Sequence, residues 1–289
     1  MIRLPLPTFD VAEAVQVCAS GITIAERAQA LLDALPVIQH TETAYRELAP
    51  HGRLYEMQGS DQVTPDLDGA LMGVIYKSHF ARSNSPSRKL YELIKMAPEF
   101  GICPLCSQRV VATVDHYLPQ KHFPALNLTP VNLIPACSDC NKRKLAMVAT
   151  SAEDQTLHPY YDDLGRDRWL FVEVLPSSPP TVEFKVRAPV AWGYVLAARV
   201  THHFGLMGLA ELYAAQAASE LADVSFFMEE LGAAAGALGV YQQLDQQFRT
   251  RYARDRNSWK TALYEGLRDS EWFCAEGYRL IRPKVRWPE

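Results

Sequence analysis

The sequence lacks any uninterrupted apolar run of the roughly 20 residues that a membrane-spanning helix needs. The stretch Val190–Val200 comes nearest and is broken by Trp192, Gly193 and Arg199. A secretory leader is not expected either, because Pro5, Pro7 and Asp10 fall where its apolar centre would run. A soluble, cytoplasmic protein is therefore expected. Nor is there an excess of positive charge: the formal net charge is -4 over 289 residues, so any affinity for nucleic acid has to be local. Internal repeats and low-complexity tracts are absent, and a hydrophobic content of 48% is that of a globular chain with one large or two modest cores.

Cysteine is scarce, with six residues, but four of them form two Cys-x-x-Cys pairs while Cys18 and Cys274 stand alone at opposite ends of the chain. In a cytosolic protein this pattern argues for metal ligation over disulfides. The pairs Cys103/Cys106 and Cys137/Cys140 are separated by 30 residues. Two knuckles of equal spacing can supply four thiolates to a tetrahedral ion, and soft sulfur ligands favour zinc, with an iron centre as competitor and free or redox cysteines as the plainer alternative, and exclude magnesium or calcium from this position. With all four positions filled by sulfur, such a zinc is structural. It fixes the shape of a segment with little core of its own, and the chemistry has to be sought inside the loop.

The fold class expected is α+β, with mainly helical flanks around a small zinc-stapled core and a β-hairpin after it. Residues 1–100 read as a helical N-terminal region: a helix capped by Asp10, another over Ile24–Leu35 stopped by Pro36, a loop from Gln58 to Asp68, and helices over Leu71–Phe80 and Leu90–Met96. Residues 101–163 form the Cys-, His-, Asn- and Pro-dense core. Residues 164–289 begin with two alternating strands, Trp169–Val174 and Thr181–Val186, joined by a proline-rich link, and continue as helix with a break near Gly232, Gly236 and Gly239.

Between and after the knuckles lie Asp115-His116, Asn132-Leu133 and Asn141-Lys142-Arg143-Lys144. The order Asp-His, Asn-Leu, then Cys-x-x-Cys-Asn-x-x-Lys resembles the ββα-metal signature of HNH endonucleases over residues 101–150, in a form with Asn141 at the third position. The resemblance implies hydrolysis of DNA phosphodiester bonds. It makes His116 the general base, suited by an ordinary imidazole pKa near 6.5. Asp115 and Asn141 become oxygen ligands of one Mg²⁺ or Mn²⁺, Asn132 fastens the loop and orients the His116 ring, and Lys144 meets the substrate phosphate. Stand-alone bacterial proteins of this type include anti-phage nucleases that act beside an ATPase, which makes an ATPase subunit a candidate partner.

Asn141 and Lys144 share a helix face if a helix starts at the second knuckle. Asp115 and His116, as neighbours on a strand, point to opposite faces unless the strand ends there, as Tyr117-Leu118-Pro119 suggests. His122 and His158 read as structural. Lys121, Lys142 and Arg143 form a local basic track for DNA, which Arg82, Arg88 and Lys89 extend. Arg249, Arg251, Arg254, Arg256 and Lys260, and the C-terminal Arg279, Arg282, Lys284 and Arg286, read as solvated faces, with a grip on DNA or a partner as the alternative. The competing reading is a non-catalytic zinc-dependent module that binds nucleic acid or protein, and RNA stands as an alternative substrate.

Overall fold

The computed structural model describes residues 1–165 and 167–281. It divides into two compact units, Met1–Asp163 and Leu164–Glu289.

The first unit opens with α1 (Val11–Ser20), α2 (Ala25–Asp33) and α3 (Leu35–Leu48). Asp10 caps α1 by accepting from the Glu13 amide at 2.8 Å. Pro36 does not end a helix as expected. It sits in the first turn of α3, where a missing N–H loses no intrahelical bond and its fixed φ is already helical. The stretch expected as loop contains a short antiparallel pair, β1 (Gln62–Thr64) and β2 (Leu67–Asp68). Helix α4 (Gly69–Ile75), capped by Asp68, runs into a π-helical turn over Tyr76–Phe80, and α5 (Arg88–Lys95) follows.

The cysteine-framed segment supplies β3 (Thr113–His116), β4 (Leu133–Ala136) and α6 (Ser138–Lys144). The strands pair antiparallel, with Asp115 opposite Ile134 and His116 opposite Leu133. This segment and the helices before it share one hydrophobic core, in which Val114 and Leu133 pack with Ala14, Ile38, Met72 and Phe80. The first residues of the chain are stitched to the same element, the Ile2 amide donating to the Pro104 carbonyl and the Leu4 amide to the Pro159 carbonyl.

The second unit begins with the expected hairpin, β5 (Leu170–Leu175) and β6 (Thr181–Val186), in continuous antiparallel register. Among the described residues four α-helices follow: α7 (Tyr194–Leu206), α8 (Leu209–Arg254), α9 (Trp259–Asp269) and α10 (Glu271–Ala275). The break lies at Gly236, whose φ of 64° and ψ of -161° only glycine adopts without strain. Residues 31 apart on a straight helix would be separated by about 45 Å. Instead Arg251 Nη2 lies 3.4 Å from Glu220 Oε1, so α8 folds back at Gly236 into two antiparallel arms. Gly232 answers a different need: a Cβ there would lie 2.2 Å from the Tyr278 hydroxyl.

Candidate metal centre and nuclease site

The four cysteines converge. Cys103, Cys106, Cys137 and Cys140 are buried, their sulfurs all lie within 4.8 Å of one another, and Cys106 and Cys137 are 4.0 Å apart. A tetrahedral zinc with bonds of about 2.3 Å sets its sulfurs roughly 3.8 Å apart, so the set needs only slight contraction to hold the ion. Each knuckle also points a backbone amide at a sulfur, Arg109 N to Cys106 Sγ and Cys140 N to Cys137 Sγ, both at 3.4 Å. Hydrogen bonds from the neighbouring thiols, Cys103 first, hold Cys137 down to about 6 and Cys106 lower still, while the same contacts push Cys103 and Cys140 up. Four sulfurs this close cannot all ionise without a cation among them, and this is the donor chemistry that zinc satisfies. An ion pair of 2.8 Å from Arg109 to Asp139 ties the first knuckle to the second. The two lone cysteines are elsewhere and buried, with burial raising Cys18 to about 12 and Cys274 to about 11.

His116 ends β3 and is 4% exposed. Both ring nitrogens are engaged: Nε2 lies 3.0 Å from the Asn127 carbonyl and Nδ1 lies 3.0 Å from the Gln120 side-chain amide. Tyr76, on the π-helical turn, packs edge-on against the ring at 4.5 Å. Burial lowers the His116 pKa to about 3, with the Lys144 charge acting in the same direction against the Asn127 bond. The ring is therefore neutral at physiological pH, well below the ordinary value from which its role as a base was expected.

Asp115, the preceding residue, turns its carboxylate toward its own chain. Oδ1 accepts from the His116 amide at 2.7 Å and Oδ2 lies 3.3 Å from Lys144 Nζ. Burial raises the Asp115 carboxyl, and Lys144 pulls against that rise. Lys144 does not face a substrate phosphate. It is 4% exposed, and Nζ donates to the His116 carbonyl at 2.5 Å as well as pairing with Asp115. The register of α6 explains this, since its inward face carries both Cys140 and Lys144.

Asn141 lies on α6 one turn before Lys144, half-buried, and its side chain makes no hydrogen bond among the described residues. Asn132 is fully buried and fastens the loop between the strands. Its amide accepts from the Leu118 N–H at 2.7 Å and donates to the carbonyls of Leu118 and Leu126 at 3.1 and 3.2 Å. None of these bonds is to the His116 ring, which Asn127 and Tyr76 hold in place and which Gln120 meets at Nδ1. Sequence reasoning missed these three. Asn127 acts through its backbone carbonyl, which leaves no trace in residue type, and the only hint of Gln120 was its place four residues after His116.

His158 is buried among tyrosines, bonded to the Tyr45 hydroxyl at 2.8 Å and accepting from the Tyr160 amide, while His122 is exposed. Lys121, Lys142 and Arg143 are exposed and form no ion pair among the described residues. Arg82 and Lys89 are also exposed, whereas Arg88 pairs with Glu92, donates to the Ala81 carbonyl and lies over Tyr91. The late basic group is not a bare solvated face. Arg249 pairs with Asp245 one turn before it on α8, and Arg251 and Lys260 pair with Glu220, an acid that the fold-back of α8 and the return of α9 bring close. Arg279 lies against Tyr278, and Arg282, Lys284 and Arg286 lie outside the described residues.

With this geometry in view, residues 103–146 match the HNH endonuclease family. The whole chain is similar to protein ea31 of Escherichia phage lambda, at 26% identity over 296 residues, covering 94% of this chain and 99% of that protein. No solved structure matches. No helix among the described residues is long and apolar enough to cross a membrane. Residues 103–146 thus carry an HNH endonuclease domain on a four-cysteine frame, and that domain supports a nuclease reading of the chain.

Proposed function

We propose that the protein is a divalent-metal-dependent endonuclease that hydrolyses DNA phosphodiester bonds in the cytoplasm, with zinc on the four cysteines as a structural ion. The observation that carries this reading is the 3.0 Å contact of His116 Nε2 with the Asn127 carbonyl. A carbonyl can only accept, so the contact with Asn127 makes Nε2 the protonated nitrogen and leaves the Nδ1 lone pair as the base. Nδ1 takes the proton of the attacking water. Asp115 and Asn141 offer the hard oxygen donors that suit Mg²⁺ or Mn²⁺, which would offset the charge building on the phosphate and departing oxygen. Asn132 keeps the loop that carries Asn127 and Gln120 in register, and Lys121, Lys142 and Arg143 meet the DNA backbone as exposed cations.

One observation favours the second reading, a zinc-dependent binding module without turnover: Asp115 and His116 already have internal partners in Lys144 and Gln120. Plasmid cleavage by the purified protein with Mg²⁺ or Mn²⁺, beside His116→Ala and Asp115→Ala, separates the two. Loss of at least about a hundredfold in the variants supports the nuclease, whereas no cleavage by wild type, with DNA binding unchanged in both variants, supports the module. A parallel digest of RNA decides the sugar. From the family resemblance we further propose an ATPase subunit as partner in an anti-phage setting, which affinity purification from the native host tests.

A further inference from the structure

The contact at Nδ1 of His116 has a meaning that follows from counting protons. Nε2 faces a carbonyl and must carry the ring's single N–H, so Nδ1 is bare, and the group 3.0 Å from it is the donor end of the Gln120 amide. We propose that Gln120 is a positioning residue that covers the Nδ1 lone pair of His116 in the resting protein, so that water reaches this nitrogen only after the amide turns away. The inference rests on the reading of His116 as the base.

The ring does not need Gln120 to stay in place. The Asn127 carbonyl holds its other nitrogen, Tyr76 packs on it at 4.5 Å, and it is almost fully buried. The backbone under Gln120 is fixed too, because the amides of His122 and Phe123 both donate to the Pro119 carbonyl in the same turn. Only the side chain is free to move. It is half-buried and makes no other hydrogen bond among the described residues, so the contact opens by rotamer change without unfolding the loop. Losing one neutral hydrogen bond sets the scale of the effect at about fivefold in the population of the uncovered base.

The full chain with zinc bound is compared with Gln120→Ala, which removes bond and bulk, and Gln120→Leu, which removes the bond alone. Three readouts are taken: the ¹⁵N shift of His116 Nδ1, the rate at which diethyl pyrocarbonate modifies His116 by peptide mass spectrometry, and plasmid cleavage with saturating Mg²⁺. The expected result is a moved Nδ1 resonance in both variants, about fivefold faster modification in Gln120→Ala only, and cleavage by Gln120→Ala at least as fast as wild type. Modification of His158, held by Tyr45, stays unchanged as the internal reference. An unmoved resonance with unchanged modification overturns the proposal, as does cleavage that falls at constant KM, because the amide would then act in the reaction. If resonance and modification respond while no form of the protein cleaves DNA, the cover stands and the nuclease reading fails. Where Gln120→Leu does not fold, Gln120→Asn, too short to reach Nδ1, gives the same resonance test.

Discussion

The ammonium of Lys144 lies 3.3 Å from the Asp115 carboxylate and 2.5 Å from the His116 carbonyl, in a place where the carboxylate and ammonium are both largely out of water. A buried charge that loses its partner is destabilising by about 3–5 kcal/mol, far more than a surface pair contributes. Lys144→Met is therefore expected to lower the unfolding free energy by an amount of that order, measured by urea titration. The double variant Asp115→Asn/Lys144→Met should recover much of the loss, since no charge is then left unpaired. Additive losses in the double variant would show that the pair is not coupled.

Zinc removal should act on shape first. The β3–β4–α6 element has the four-cysteine cluster at one end and only part of the first unit's core beneath it. Metal analysis is expected to find one zinc per chain, and Cys137→Ser or a strong chelator to melt the element, seen as loss of amide protection over residues 101–146. Retained protection in metal-free protein would show that the four sulfurs are not a structural site.

The same segment shows what was legible in the sequence and what was not. The knuckles were legible because covalent spacing alone brings two sulfurs to one ion, and the β5–β6 hairpin because its alternation reports one buried face. The place of Lys144 was not. A lysine beside Lys142 and Arg143 reads as part of a solvated run, and only the register of α6, started by Cys137 as its cap, turns one of the three inward. Pro36 was misread for a related reason: proline marks a helix boundary but does not say which side of it the helix lies on. The partners of Arg251 and Lys260 were hidden because Glu220 comes near only once α8 reverses at Gly236.

Asn132→Ala should loosen one loop and not the whole unit. The side chain makes three buried hydrogen bonds to backbone groups, two of them to the Leu118 N–H and carbonyl and one to the Leu126 carbonyl, which also accepts from the Thr129 amide. A loss of about 2–4 kcal/mol is expected from stranding the two groups of Leu118. Hydrogen exchange should rise most over residues 117–132, and Asn132→Asp, which keeps an acceptor for Leu118 N–H but loses the donors, should recover only part of the protection. Uniform exchange throughout the first unit would contradict a fastening role.

The second unit carries its own acid sensitivity. Burial alone would raise the Glu220 carboxyl, but hydrogen bonds from Lys260 and Tyr264 and the charges of Lys260 and Arg251 outweigh it and hold the carboxyl below its ordinary value of 4.5. A folded value below the unfolded one means stability that is present above about pH 4.5 and lost as pH falls through the folded value. Thermal melts between pH 6 and pH 3 should show this decline in wild type and a flatter one in Glu220→Gln, which starts lower at pH 6. Parallel slopes for the two proteins would assign the acid response to other groups.

The bridge from Arg109 to Asp139 bears on how the HNH domain meets a polyanion. Zinc held by four thiolates would carry a net charge of roughly -2, so the loaded frame would itself repel phosphate. Arg109, whose amide donates to Cys106 Sγ, is paired with Asp139 and so does little to offset that repulsion. In the proposed nuclease, attraction to DNA falls to Lys121, Lys142 and Arg143, and three phosphate contacts would correspond to a salt dependence with a slope of about -2.7 in log affinity against log salt. On that reading the domain is expected to hold nucleic acid weakly on its own at physiological salt, with the dwell time on DNA set by whatever the rest of the chain or a partner adds.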